Sequence, residues 1–78
     1  MSALFNYLTE ENIRRLDYDG NHNVIYAGVA EPGTAASAAG WAIQRYTYTA
    51  GDLTLVEWAG GTRRMGSIWD NRAGLAYS

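Results

Sequence analysis

From Leu16 onward the chain is written as short runs of strand-forming residues, each closed by a cluster of turn residues. Asp17-Tyr-Asp-Gly-Asn-His-Asn23 is dense in turn formers, and Val24-Ile-Tyr-Ala-Gly-Val-Ala30 after it is rich in strand formers. Glu31-Pro32-Gly33 marks a second turn. Thr34 to Gly40 holds only small side chains, which predicts a close-packed connector with one helical turn. The clearest pattern lies between 41 and 59. Trp41-Ala-Ile-Gln-Arg-Tyr-Thr-Tyr-Thr49 and Leu53-Thr-Leu-Val-Glu-Trp-Ala59 both read as strands, joined by a three-residue loop Ala50-Gly51-Asp52. Setting Thr49 opposite Leu53 brings Arg45 to Glu57, Thr47 to Leu55 and Ile43 to Ala59. On the other face it brings Tyr46 to Val56 and Gln44 to Trp58. An ion pair and an aromatic–aliphatic pair across an antiparallel ladder contribute about 0.2–1 kcal/mol each, and a one-residue slip would lose both. Large residues fall on both faces, which suits a sheet covered on both sides, one of them by another chain.

The two ends read differently. Over residues 1–16 the signals are helical, with Thr9 as N-cap, Glu10 and Glu11 in the first turn, and Arg14 and Arg15 near the C-terminal end. Leu8 and Ile13 have the spacing of a hydrophobic staple, although Asn12 occupies the capping-box position. A helix this short is unstable alone, so the expectation is a short helix, or an arm that orders on contact. At the other end Gly60-Gly61 stops the second strand of the hairpin. Trp69-Asp-Asn-Arg72 follows, and Ala73 to Tyr77 is a candidate final edge strand. The expected fold is therefore mainly β: a small antiparallel sheet centred on the 41–59 hairpin, with a C-terminal segment packed on it. A single domain covers 1–78, with a helix or arm over 1–16 and a β-rich body over 17–78.

Composition narrows the function. Seventy-eight residues without a cysteine and with one histidine, His22, offer neither a disulfide nor an ordinary zinc site. No cofactor or metal site is expected. Domains of this size bury only about 60% of their unfolded surface, so oligomerisation or docking is the remaining route to added stability. The net charge of −2 lacks the basic excess of a phosphate-binding protein, so no nucleic-acid partner is expected. All six basic residues are arginine, which suits bidentate carboxylate contacts and stacking on rings. Apolar stretches break well short of the ~20 residues of a membrane span, and the N-terminal stretch does not read as a secretion signal. Asp17-Tyr-Asp19-Gly-Asn21 has the alternating oxygens of a calcium loop, but His22 stands where glycine belongs and Gly28 where a bidentate Glu belongs. A hairpin turn explains it better. The acids are scattered, His22 has no orienting partner and no phosphate-cradling glycine motif is present, so the chain does not read as an enzyme.

Three tryptophans and six tyrosines in so short a chain are a heavy aromatic load, and large amphipathic rings are enriched at protein interfaces. The candidate interface residues are Trp41, Tyr46, Tyr48, Trp58, Trp69, Arg72 and Tyr77. For Trp69 to Arg72 two readings stand: a local lock in which Asp70 and Arg72 bond the backbone or each other, and a contact reaching a neighbouring subunit.

Tyr26-Ala-Gly28, Pro32-Gly-Thr34, Ser37, Trp41-Ala-Ile43, Trp58-Ala-Gly60 and Trp69-Asp-Asn-Arg72-Ala-Gly-Leu75-Ala-Tyr77 together resemble a pattern in small virion-associated structural proteins of tailed bacteriophages. The pattern runs Tyr-x-Gly, Pro-Gly-Thr, Trp-x-Ile, Trp-Ala-x-Gly, then Trp-Asp-x-Arg and Tyr, and spans residues 24–78. After Trp58-Ala this chain departs from it, carrying Gly60-Gly61 and then Arg63-Arg64 in place of an acidic Asp-Gly. The resemblance implies a non-enzymatic component of the tail, neck or fibre region, made in the host cytoplasm and carried in the virion. Its partners would be copies of itself or larger virion proteins, with no membrane involved. The competing expectation is a monomeric binding module or small regulator whose aromatic face captures a host protein or a glycan. A third is that all three tryptophans are core.

Overall fold

The computed structural model describes residues 12–78. The chain forms strands β1 (Ile13–Tyr18), β2 (Val24–Ala30), β3 (Ala39–Thr49) and β4 (Asp52–Trp58). They lie side by side in chain order as an antiparallel meander. A two-residue strand β5 (Ser67–Ile68) pairs with the start of β3, and a 3-10 turn over Trp69–Gly74 follows it. Tyr77 forms a single bridge with Ala59. The mainly β, antiparallel architecture read from the sequence is the one observed.

Each turn has a local cause. Between β1 and β2 the Asp19 carboxylate accepts hydrogen bonds from the backbone N–H of Asn21 (2.8 Å) and Asn23 (3.0 Å). These bonds hold its pKa below the ordinary aspartate value. The would-be calcium loop is thus a hairpin whose acid is spent on its own backbone. After β2 the Thr34 N–H and hydroxyl both donate to the Glu31 carbonyl, at 3.1 and 2.7 Å. The small-residue connector makes one turn, with Ala38 N–H donating to the Ala35 carbonyl at 3.0 Å, and β3 begins at Ala39.

The 41–59 hairpin keeps the expected pairs from Thr47–Leu55 through Gln44–Trp58, but its tip is built differently. Thr49 faces Asp52 and Tyr48 faces Leu53, so the loop has two residues, and a bulge opposite Thr47 and Tyr48 absorbs the odd one. Ala50 (φ 53°) and Gly51 (φ 87°) both have positive φ, the mark of a type I′ turn whose twist matches the strands it joins.

The helix expected over 1–16 does not extend through 13–16. Those residues belong to β1, paired with Ala30, Val29, Gly28 and Ala27. The physical reason is side-chain placement. As a strand, Ile13 packs against the core and Arg15 lies 5.8 Å over the Trp41 ring, while Arg14 projects from the opposite face. The rest of the helix or arm expectation, over 1–11, lies outside the described residues. The edge strand expected over 73–77 is instead the end of the 3-10 turn plus one bridge.

Alternation sorts the sheet into two faces. One carries Tyr26, Gly28 and Ala30 from β2, Trp41, Ile43 and Arg45 from β3, and Glu57 from β4. The segment 67–78 lies across it as a strap, and the buried core of Ala30, Trp41, Ile43, Ala59 and Trp69 forms between the two. Gly28 is where the layers come closest. A Cβ there would stand 2.5 Å from Trp69 Cε3 and 3.1 Å from Trp41 Cε3. Glycine at this position lets an indole lie directly on the backbone of β2.

Candidate functional site

The seven candidate residues divide between the two faces. Trp41, Trp69, Arg72 and Tyr77 belong to the strap side. Trp41 is fully buried, and its indole N–H donates to the Ala35 carbonyl at 2.9 Å. Its ring centroid lies 5.9 Å from that of Trp69, tilted by 45°, a favourable aromatic arrangement. Trp69 is buried as well. Neither ring is displayed on the surface, so both act as core of the described chain.

Arg72 ties the strap to the far edge of the sheet. Its Nε donates to Asp17 Oδ2 at 3.0 Å, and one terminal nitrogen donates to the Trp69 carbonyl at 3.2 Å. The guanidinium lies 4.6 Å over the Trp69 ring and 6.0 Å from that of Tyr26. Arg72 thus bonds the local backbone as a lock would, but its ionic partner is Asp17 on β1, while Asp70 is exposed. The Tyr77 hydroxyl donates to the Arg72 carbonyl at 2.8 Å, closing the strap upon itself.

On the other side of the Tyr77 ring, Arg45 approaches to 4.8 Å while pairing with Glu57 at 2.7 Å. That hydrogen bond raises the Arg45 pKa further above its already high ordinary value. The buried Arg45 Nε meets no oxygen acceptor, and the π face of Tyr77 is the nearby electron-rich surface. Burial first, and the neighbouring Tyr26 second, push the Tyr77 phenol up to about 12. Arginines and rings therefore form one continuous stack between strap and sheet, from Arg45 through Tyr77, Tyr26 and Arg72 to Trp69. Sequence reasoning singled out the strap members of this stack but not Asp17, Tyr26 and Arg45 as their partners. The contacts join residues up to 55 positions apart, and only the register of β1, β2 and β3 brings them together.

Tyr46, Tyr48 and Trp58 lie on the opposite face. Leu16, opposite Ala27, and Tyr18, opposite Val24, share it, as do Leu53, opposite Tyr48, and Val56, opposite Tyr46. Leu16 and Tyr18 are each 50% exposed, Leu53 48% and Val56 40%. Among the described residues no strand or helix lies over this face. The signal for Val56 was present in the sequence, as its pairing with Tyr46. Leu16 carried none while residues 1–16 read as a helix or arm, and Tyr18 carried none while Asp17 to Asn23 read as a turn.

The chemical groups available are few. Among the described residues no three of His, Asp and Glu converge on a point where a cation would sit. A hollow of about 410 Å³ beside the 3-10 turn is lined by Asp70, Asn71, Ala73, Gly74 and Leu75, with one ionisable side chain among them. Comparison with protein-family models, with curated proteins and with solved structures gave no match.

Proposed function

We propose that this chain is a non-enzymatic structural component of a bacteriophage virion, in the tail, neck or fibre region, assembling through protein–protein contacts. The observation that carries the reading is the division of labour between the faces. Two ion pairs, Arg45–Glu57 and Arg72–Asp17, and the rings of Trp41, Trp69, Tyr26 and Tyr77 are engaged on the strap side, whereas the opposite face is apolar and, among the described residues, uncovered. A stable domain buries its sheet between layers, and here one of the layers is missing among the described residues. Large exposed apolar patches on a small protein mark interaction surfaces. The setting within a virion rests on the resemblance of residues 24–78 to small tail-associated proteins.

Capture of a glycan by an aromatic platform has less to draw on, because Trp41, Trp69, Tyr26 and Tyr77 are engaged internally. The test is compositional. Mass spectrometry of virions purified through a density gradient and washed in high salt is expected to find the chain in fixed ratio to the other structural proteins. Its absence from such particles would remove the reading.

A further inference from the structure

The open face has properties that go beyond being apolar. Two of its tyrosine hydroxyls are already partnered within the chain. The Tyr46 hydroxyl donates to Gln44 Oε1 at 3.0 Å, and the Tyr48 hydroxyl donates to the Val24 carbonyl at 2.9 Å. A side chain that water serves has no need of such partners. With them in place, Tyr46 and Tyr48 can be dried at little loss of hydrogen bonding. Arg14 is the one charged side chain that the strand pairings place there, and it sits on the edge strand, where a rim residue stays hydrated.

Geometry narrows the occupant. Four strands ~4.8 Å apart, paired with their neighbours over about six residues at ~3.3 Å per residue, present about 400 Å² of flat face. Side-chain relief raises this to roughly 600 Å² per copy, so two such faces bury about 1,200 Å² together, the lower limit for interfaces that hold two proteins. A second copy brings the same largely apolar surface, with its single arginine again at the rim. Two twisted sheets of one hand pack face to face at about −30°, the arrangement of β-sandwiches. A two-fold axis through the face would repeat each contact twice and complete the missing layer.

We infer that the Leu16–Tyr18–Leu53–Val56 face is the self-association surface of this protein, and that two copies close it by packing sheet on sheet. The inference rests on the assembly reading and names its first contact. At the area available the dimer is concentration-dependent rather than permanent.

The experiment is sedimentation equilibrium of the full chain from low micromolar to millimolar concentration. The expected weight-average mass rises from 8.6 kDa toward twice that value. Val56→Lys and Leu16→Lys, at positions already 40% and 50% exposed, are expected to weaken association at least tenfold while leaving the far-ultraviolet spectrum unchanged. Leu55→Lys is the control. Leu55 is equally exposed, at 49%, but pairs with Thr47 on the strap side, and this variant is expected to dimerise as the parent does. A monomer at every concentration would overturn the inference, showing the face to be covered within the chain or by a foreign partner. Association that ignores Val56→Lys and Leu16→Lys would overturn it too, yet would leave the assembly reading standing. A dimer broken by those variants, in a protein absent from washed virions, would support the interface and overturn the virion reading instead.

Discussion

Gly28 shows how much one absent side chain decides. Trp69 fits because nothing projects from β2 beneath it. Gly28→Ala would set a methyl within 2.7 Å of two Trp69 ring carbons, and both the ring and the backbone under it are buried. Overpacking of this kind costs about 1–3 kcal/mol, which urea denaturation followed by tryptophan fluorescence would measure as a lower midpoint. Trp41 and Trp69 stood out in the sequence as candidates for a surface, and this glycine is why the structure can hold them inside. Nothing in a list of residue types announces that a glycine 41 positions before an indole is its floor. Tyr77 yields a second prediction. Its phenol ionises near 12 when folded and near the ordinary 10 when unfolded, so the unfolded chain releases its proton first. Stability is full below pH 10 and falls as the pH rises from 10 to 12. Thermal melts across that range, with tyrosinate absorbance as the titration readout, are expected to show a falling midpoint that Tyr77→Phe flattens.

The β3–β4 hairpin marks the limit of legibility at the scale of elements. Arg45 with Glu57 and Tyr46 with Val56 were readable as cross-strand pairs, and the ladder from Thr47 to Gln44 follows them. The tip was not readable. A three-residue loop and a two-residue loop with a bulge use the same number of residues, and both deliver the same register beyond Thr47. What separates them is the positive φ of Ala50, a conformation that alanine does not advertise. An L-residue with a Cβ incurs roughly 1 kcal/mol in this region, and asparagine tolerates it far better. Ala50→Asn is therefore expected to stabilise the protein by about 0.5–1 kcal/mol, seen as a higher midpoint in the same denaturation experiment. β1 was misread for a related reason. Glu10, Glu11, Arg14 and Arg15 form a charge gradient that suits a helix, but Arg15 is satisfied equally well by lying over the Trp41 ring. Local signals could not reveal a partner 26 positions along the chain.

At the scale of the whole molecule, the meander is joined only by consecutive hairpins, and the strap is what crosses between its distant parts. Arg72 reaches β1 while the backbone of Trp58 exchanges hydrogen bonds with Ser78, at 3.0 and 3.1 Å. Arg72→Ala would lose a partly buried ion pair and the guanidinium stack on Trp69, together about 1–2 kcal/mol. Hydrogen exchange is the sharper readout. The amides of Asp70 and Ser78, bonded to Ala36 and Trp58, are expected to lose protection well before those of β2 and β3. The strap also lies C-terminal to everything it covers, and this order has a consequence during synthesis. β1 through β4 leave the ribosome and can pair while the strap is still within it. Until residues 67–78 emerge, nothing else among the described residues covers the nascent sheet, and Trp41 is open to solvent. Emergence of the strap, not pairing of the strands, then sets the moment at which the core closes, and the interval before it is when a chaperone or a neighbouring nascent copy would find most to hold.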